Sequence, residues 1–209
     1  MSCFVLNATS IGECRGYSSR LPTFADERDE ARAFQMRIVA GRWRGRKIDA
    51  PGGDLVRPTG DRVRESWMSI VHHQLPEARV LDLCAGSGAL GLEALSRGAA
   101  TCDFVERSEH AMKMIRANLD ALGGHDGAVL HREEAVAYVS TLPALAYDVE
   151  FADPPYDADT ALALVERWLT VPFSAILGIE HSSAAAMPAP GETRRYGMTA
   201  LTFFRVSDP

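Results

Sequence analysis

The chain has 209 residues, enough for one to one and a half domains, and its 46% apolar and 24% charged residues are an ordinary globular balance. No stretch approaches the roughly 18 uninterrupted apolar residues of a membrane span. Four cysteines (Cys3, Cys14, Cys84, Cys102) show neither metal-type pairing nor disulfide density, which points to structural cysteines, no metal and a reducing cytoplasm.

Residues 1–35 have mixed polarity, no sustained period and an acidic cluster from Asp26 to Glu30. They lack the basic start and apolar core of a secretory leader, so they read as a loosely ordered extension. A short helix over residues 25–34 fits the same segment, and Met36 is a candidate true start.

Residues 36–76 form the next unit. Arg37–Ala40 and Arg46–Ile48 flank Gly41 to Gly45, which predicts a hairpin with Arg42, Trp43 and Arg44 near its tip. A helix is expected from about Asp61 to Gln74, with Thr59 or Asp61 as N-cap and Val63, Trp67, Ile70 and Val71 on its apolar face. Net charge is −6, which argues against nucleic acid until its distribution is read. From Met36 to Ile70, eight basic residues oppose four acids, so that stretch is +4 and the remainder carries −10. Arg42, Arg44, Arg46 and Lys47 on the hairpin are therefore candidate RNA contacts, since a basic segment on an acidic body suits a phosphate backbone. A merely solvated hairpin fits the same pattern.

Residues 77–209 alternate regularly. Strands are expected at Arg79–Leu83, Thr101–Glu106, Ala128–His131, Tyr147–Ala152 and Ala175–Glu180. Helices are expected at Ala89–Arg97, Ser108–Leu122, near Glu133–Ser140 and at Ala158–Leu169. Arg194–Tyr196 and Leu201–Val206 close the chain as a hairpin that adds one antiparallel strand. Such alternation predicts an α/β, Rossmann-like fold with a mostly parallel sheet covered on both faces.

Gly86-Ser87-Gly88-Ala89-Leu90-Gly91 follows the first of these strands and opens a helix, the context a G-x-G-x-x-G loop requires. Glu106 ends the next strand, where a carboxylate can accept from a ribose diol. A nicotinamide dinucleotide and S-adenosylmethionine both satisfy this geometry. Asp82, four residues before the first glycine, suits a ligand carrying an ammonium group better than a pyrophosphate, and it can equally cap the glycine loop. Glu133 and Glu134 stand where an acid could meet an adenine amino group, or where helix first-turn acids belong.

Asp153-Pro154-Pro155-Tyr156 directly follows an apolar strand. It suits methylation of an exocyclic amine on a flat ring, whose lone pair is delocalised and poorly nucleophilic. The Asp153 carboxylate and the Pro154 carbonyl can accept from the amine N–H groups and aim its lone pair. The prolines fix the carbonyl, and Tyr156 offers a face for the base. The same four residues also fit a proline turn with Tyr156 in ordinary packing.

The sequence resembles the bacterial 16S rRNA guanine-N2 methyltransferases that modify a guanine in the small-subunit head. The resemblance rests on Met36–Gly41, Arg44–Lys47, Arg57-Pro58-Thr59 with Asp61–Glu65, the long block Val80–Ala99, and Asp153–Tyr156. It covers about residues 36–206 and departs from the family at Cys84 and Glu134. It implies a Rossmann-like, S-adenosylmethionine-dependent enzyme acting on a guanine amine within 30S subunits or their assembly intermediates. Asp82, Gly86, Ser87, Gly88, Glu106 and Glu134 would hold the cofactor, and Asp153 to Tyr156 the base. A cytoplasmic monomer without metal is expected. Adenine methylation and protein amide methylation use closely related tetrapeptides and remain alternatives.

Overall fold

Apolar runs broken by glycine turns predict strands alternating with helices. The computed structural model, which describes residues 34–50, 58–155 and 158–206, shows them. A hairpin of β1 (Phe34–Arg37) and β2 (Lys47–Ala50) precedes helix α1 (Pro58–Val71). Then come β3 (Arg79–Leu83), α2 (Ala89–Ser96), β4 (Thr101–Val105), α3 (Glu109–Leu122), β5 (Ala128–His131) and α4 (Ala135–Ser140). The chain continues through β6 (Tyr147–Ala152), α5 (Ala158–Thr170), β7 (Ser174–Ser182), β8 (Glu192–Tyr196) and β9 (Thr199–Arg205). Among the described residues, no helix is long and apolar enough to cross a membrane.

The larger sheet has the order β5-β4-β3-β6-β7-β9-β8. Strands β3 to β7 are mutually parallel, β9 runs antiparallel to β7, and β8 pairs antiparallel with β9. The closing hairpin thus adds two strands, of which β9 alone reverses direction. Val80, Leu81, Leu83, Val149 and Phe151 are fully buried, as parallel strands covered on both faces require. One core packs α1, α2 and α3 against the sheet through Trp67, Leu92, Leu95, Ile115 and Leu119. The other packs α4 and α5 through Val139, Leu164, Val165 and Trp168.

The chain builds outward from β3 to β4 and β5 on one side, and to β6 and β7 on the other. That reversal leaves a crevice beyond the carboxyl ends of β3 and β6, the place where open α/β sheets bind ligands.

Three expectations are corrected. First, the strands of the N-terminal hairpin are shifted from Arg37–Ala40 and Arg46–Ile48. The strands are Phe34–Arg37 and Lys47–Ala50, so β1 begins two residues ahead of Met36, and the intervening loop folds back onto α2. Arg42 N–H donates to the Ser96 carbonyl (2.8 Å) and Trp43 N–H to Ser96 Oγ (3.0 Å). Val39 and Ala40 N–H donate to the Glu93 carboxylate (2.8 and 3.0 Å). Second, Trp43 is buried, its ring lying where a Cβ on Gly124 would approach to 2.6 Å. Burying so large an apolar surface is worth a few kcal/mol, on the order of 25 cal/mol per Å², and outweighs its exposure at a tip. Third, α1 starts at Pro58, so Thr59 and Asp61 lie inside the helix and neither is its N-cap. Proline suits the first helical position because its missing N–H is unpaired there anyway. The expected helix over residues 25–34 falls, apart from Phe34, outside the described residues, as do Arg57 and Tyr156.

Gly178 on β7 makes room for Trp67, since a Cβ there would lie 2.2 Å from Trp67 Cζ3 and 2.7 Å from Phe203 Cε1. Trp67 in turn packs edge-on to Phe151 and Phe203. Gly178→Ala is expected to lower the unfolding free energy by about 1–3 kcal/mol, the usual cost of an overfilled core. A denaturant titration checks this, and an unchanged midpoint would show that Trp67 shifts freely.

Candidate active site

Strand β3 ends at Leu83, and the loop beyond it turns sharply. Cys84 sits at φ 57, Gly86 at φ 54 and Gly88 at φ 77. A non-glycine in this left-handed region costs of order 1 kcal/mol, and such positions cluster at functional sites. The glycines do different work. A Cβ on Gly86 would meet nothing closer than Cys84 O at 3.9 Å, so the backbone there borders open space. A Cβ on Gly88 would press on Phe104 and Ile115 at 3.3 Å, and one on Gly91 would lie 2.4 Å from Phe104. Gly88 and Gly91 therefore let α2 pack closely on β4. A side chain at Gly88, one of the residues expected to hold the cofactor, would therefore enter the core.

The carboxylates of this edge hold the loops. Asp82 is 1% exposed and its Oδ2 accepts from Gly91 N–H (2.9 Å). Because Gly88, the N-cap of α2, has no side chain, Asp82 caps the helix in its place. Of the two roles open to Asp82 in the sequence, loop capping is the one the geometry displays. Glu106 accepts from Gly86 N–H (3.0 Å) through one oxygen and from Ser108 N–H (2.8 Å) through the other. Each carboxylate oxygen has a second acceptor position, so Glu106 can still receive two hydroxyl groups. Glu134 is the N-cap of α4, its Oε2 accepting from Ala137 N–H (2.9 Å).

Asp153 follows β6 across the switch point, its N–H directed at the Leu83 carbonyl (3.4 Å). Pro154 is buried beside it and Pro155 is exposed. Asp153 itself is exposed at the rim, yet enough protein crowds its carboxyl for desolvation to push its pKa up to about 6. Open on one side and crowded on the others is the environment of a residue on the wall of a crevice, and the upward direction follows from it.

The acids act on one another. Burial holds Asp82 well above the usual carboxylate range, the Gly91 hydrogen bond opposes this, and Asp153 and Glu106 add to it. Burial first, then Glu106, Asp153, Asp82 and Glu134, pushes the Cys84 thiol up to about 12. The crevice therefore carries a concentrated negative potential. A ligand with a sulfonium and an ammonium group relieves it, whereas a pyrophosphate would not. The donor set and the open space at Gly86 fit S-adenosylmethionine.

The four basic residues of the hairpin are not brought to this edge. Arg46 donates to the carbonyls of Ala121 and Leu122, capping the end of α3 that lies about 20 Å from its start at 1.5 Å per residue. Arg42 stacks over Trp43 at 4.2 Å. Arg44 and Lys47 are exposed on the same remote hairpin.

Residues 36–205 match the family model described as "Conserved hypothetical protein 95". The chain belongs to that family. It is 32% identical over 181 residues to YlbH of Bacillus subtilis, a protein named provisionally as an rRNA methyltransferase, covering 81% of this chain and 98% of the relative. It is 38% identical over 122 residues to the Escherichia coli ribosomal RNA small subunit methyltransferase D, covering 58% and 61%. Among solved structures, an Escherichia coli protein provisionally described as a methyltransferase superposes with TM-score 0.71 at 30% identity over 82% of this chain and 98% of that one. A Thermus thermophilus 16S rRNA N2 methyltransferase in complex with AdoMet and guanosine shares the fold at TM-score 0.64 and 19% identity, over 83% and 50%. By family and fold this member of the Conserved hypothetical protein 95 family is a Rossmann-like methyltransferase dependent on S-adenosylmethionine.

In this member one positioning residue escaped the sequence reading. Asn118 on α3 is 2% exposed; its Oδ1 accepts from Asp49 N–H (2.8 Å), and its Nδ2 donates to Asp49 O (2.9 Å) and Ser87 O (3.0 Å). One amide thus ties the β1–β2 hairpin to the glycine loop. An asparagine in the middle of an amphipathic helix, on its buried face, was the available signal. Asn118→Leu, which keeps the volume but not the amide, is expected to cost about 1–3 kcal/mol of stability through the orphaned backbone groups. It should also weaken cofactor binding by calorimetry. Unchanged values for both would show that Ser87 needs no support.

Proposed function

We propose that this chain transfers a methyl group from S-adenosylmethionine to the exocyclic N2 amine of a guanine in 16S rRNA. The substrate is the 30S subunit or an assembly intermediate, and the enzyme acts as a monomer in the cytoplasm. The observation that carries the reading is the position of Asp153, on the far side of the switch point from an acid-lined cofactor edge. The rRNA methyltransferase names of its relatives support the substrate class.

S-adenosylmethionine, when bound, supplies an electrophilic methyl group on a positively charged sulfur. Glu106 would receive the ribose hydroxyls at its remaining acceptor positions, and Gly86 would allow close approach of the backbone. Asp82, sealed beneath the loop, would act on the cofactor through its field, and Glu134 would be the acid that meets the adenine. Asp153 and the Pro154 carbonyl accept from the guanine amine, which turns its lone pair toward the methyl carbon. Transfer would form the N–C bond as the S–CH3 bond breaks and its electron pair stays on sulfur, which leaves as a neutral thioether; the Asp153 carboxylate would stabilise the positive charge that arrives on nitrogen. The surplus proton passes to Asp153 or to water. Tyr156, beyond the described residues, is assigned the stacking face, since a base must leave its stack to enter such a pocket.

Labelled methyl transfer to 30S particles from a strain lacking the gene, followed by digestion to nucleosides, tests the assignment. Label in N2-methylguanosine is the expected result; label in N6-methyladenosine or in protein overturns it.

The Asp153 chemistry carries its own pH signature. Its pKa is raised to about 6, and only the deprotonated form accepts two hydrogen bonds and opposes a developing cation. Turnover per cofactor-loaded enzyme should therefore fall as pH drops through that region and level off above it. Asp153→Asn is expected to cut turnover by about 10²-fold or more, to leave cofactor affinity nearly intact and to abolish the acidic limb. An acidic limb that survives in Asp153→Asn belongs to another group and removes Asp153 from this role.

A further inference from the structure

The basic tip of the β1–β2 hairpin lies at the amino-terminal end of the parallel strands, held by Ser96 and by the last turn of α3. The base enters at the opposite end, beside Asp153. A different set of cations stands there. Arg194 on β8 pairs with Leu201 of β9, which pairs with Glu180 of β7. Ala152 pairs with Ile179, so this rung is the one at which Asp153 leaves β6. Three strand spacings of about 4.8 Å then put Arg194 roughly 14 Å from Asp153 across the sheet. Arg195 occupies the next rung toward the carboxyl edge, on the other face of the strand.

Helix α1 meets this edge. Its last residues lead to the start of β3, so its first turns point toward the crevice. Ser66 Oγ and Tyr196 OH are hydrogen-bonded, which joins α1 to β8. Arg62, one turn earlier than Ser66 on the same helix face, stands at the rim of that seam. Arg62, Arg194 and Arg195 are all exposed. Arg79, Arg97 and Arg132 are held by acids, whereas among the described residues Arg62 and Arg194 enter no ion pair. Met198, 67% exposed at the β8–β9 turn, adds an apolar side chain at the same edge.

We infer that the seam between α1 and β8, with Arg62 and Arg194 as its charges and Met198 at its end, is the docking surface for the RNA strand flanking the target base. The phosphates engage the two guanidinium groups, and Met198 packs against an unstacked ribose or base. Arg194 at this distance, with Arg62 at the adjoining rim of α1, reaches the backbone a few nucleotides from the flipped base, and the pair fixes it over Asp153 without reading sequence. The inference rests on the proposed RNA substrate and names the surface that receives it.

The test compares two double variants of the full chain, Arg62→Ala with Arg194→Ala, and Arg42→Ala with Arg44→Ala. Affinity for a 16S rRNA fragment and for the 30S particle is measured over a range of salt. Losing two phosphate contacts is expected to flatten the slope of log affinity against log salt by about 1.5, at 0.7–0.9 per contact. Affinity at low salt should fall at least tenfold, with cofactor affinity preserved. An unchanged slope in the Arg62/Arg194 variant, or a larger change in the Arg42/Arg44 variant, overturns the surface. Loss confined to the particle, with the free fragment bound normally, also overturns it and points to a ribosomal protein. Methylation of a base other than guanine would refute the base assignment alone, since the docking readout is affinity for RNA.

Discussion

Backbone N–H groups at the carboxyl edge of a parallel sheet have no strand or helix partner, and leaving them unpaired costs about as much as a lost hydrogen bond. In this protein carboxylates satisfy them. Asp82 takes Gly91, Glu106 takes Gly86 and Ser108, and Glu134 takes Ala137. The same charges that hold the loops also make the crevice negative: beyond the larger effect of burial, Glu106 and Asp153 add to the upward push on Asp82 and Cys84. Loop structure and affinity for a cationic cofactor are therefore one electrostatic arrangement. Neutralising any of these acids would disturb both.

A second polar layer stands behind the first. Glu93, fully buried, accepts from Val39 and Ala40 and pairs with Arg97, while Asn118 joins Asp49 to Ser87. Together with Trp43 in the core, these groups make the N-terminal hairpin a brace along α2 and α3. A free arm reaching for RNA would leave Trp43 and four backbone N–H groups in water. The hairpin's basic residues share in the bracing, since Arg46 caps α3 and Arg42 covers Trp43.

The crevice divides the labour by side. In the proposed function the β3 and β4 ends hold the cofactor, and the β6 and β7 ends, continued by β9 and β8, receive the substrate. Asp153 stands where the two meet, its N–H directed at the end of β3. That position lets a single carboxylate feel the cofactor's acids and face an incoming amine. In the proposed docking surface, the exposed Arg62 of α1 and Arg194 of β8 bring positive charge to that side.

Much of this was legible in the sequence because it is local. Strand–helix alternation, the Gly86–Gly91 loop, Glu106 after its strand and Asp153-Pro154-Pro155 behind an apolar run are each written in consecutive residues. Periodicity and turn chemistry fix them with little help from elsewhere. What the sequence left open depended on partners far apart in the chain. Whether Asp82 caps a loop, whether Gly88 faces ligand or core, and whether Trp43 is exposed were decided by Gly91, Phe104 and Gly124. The basic residues show the limit most plainly. Composition marks Arg42 and Arg194 alike as cations, but only the order and direction of the strands put one at the far end of the sheet and the other on the rung of Asp153.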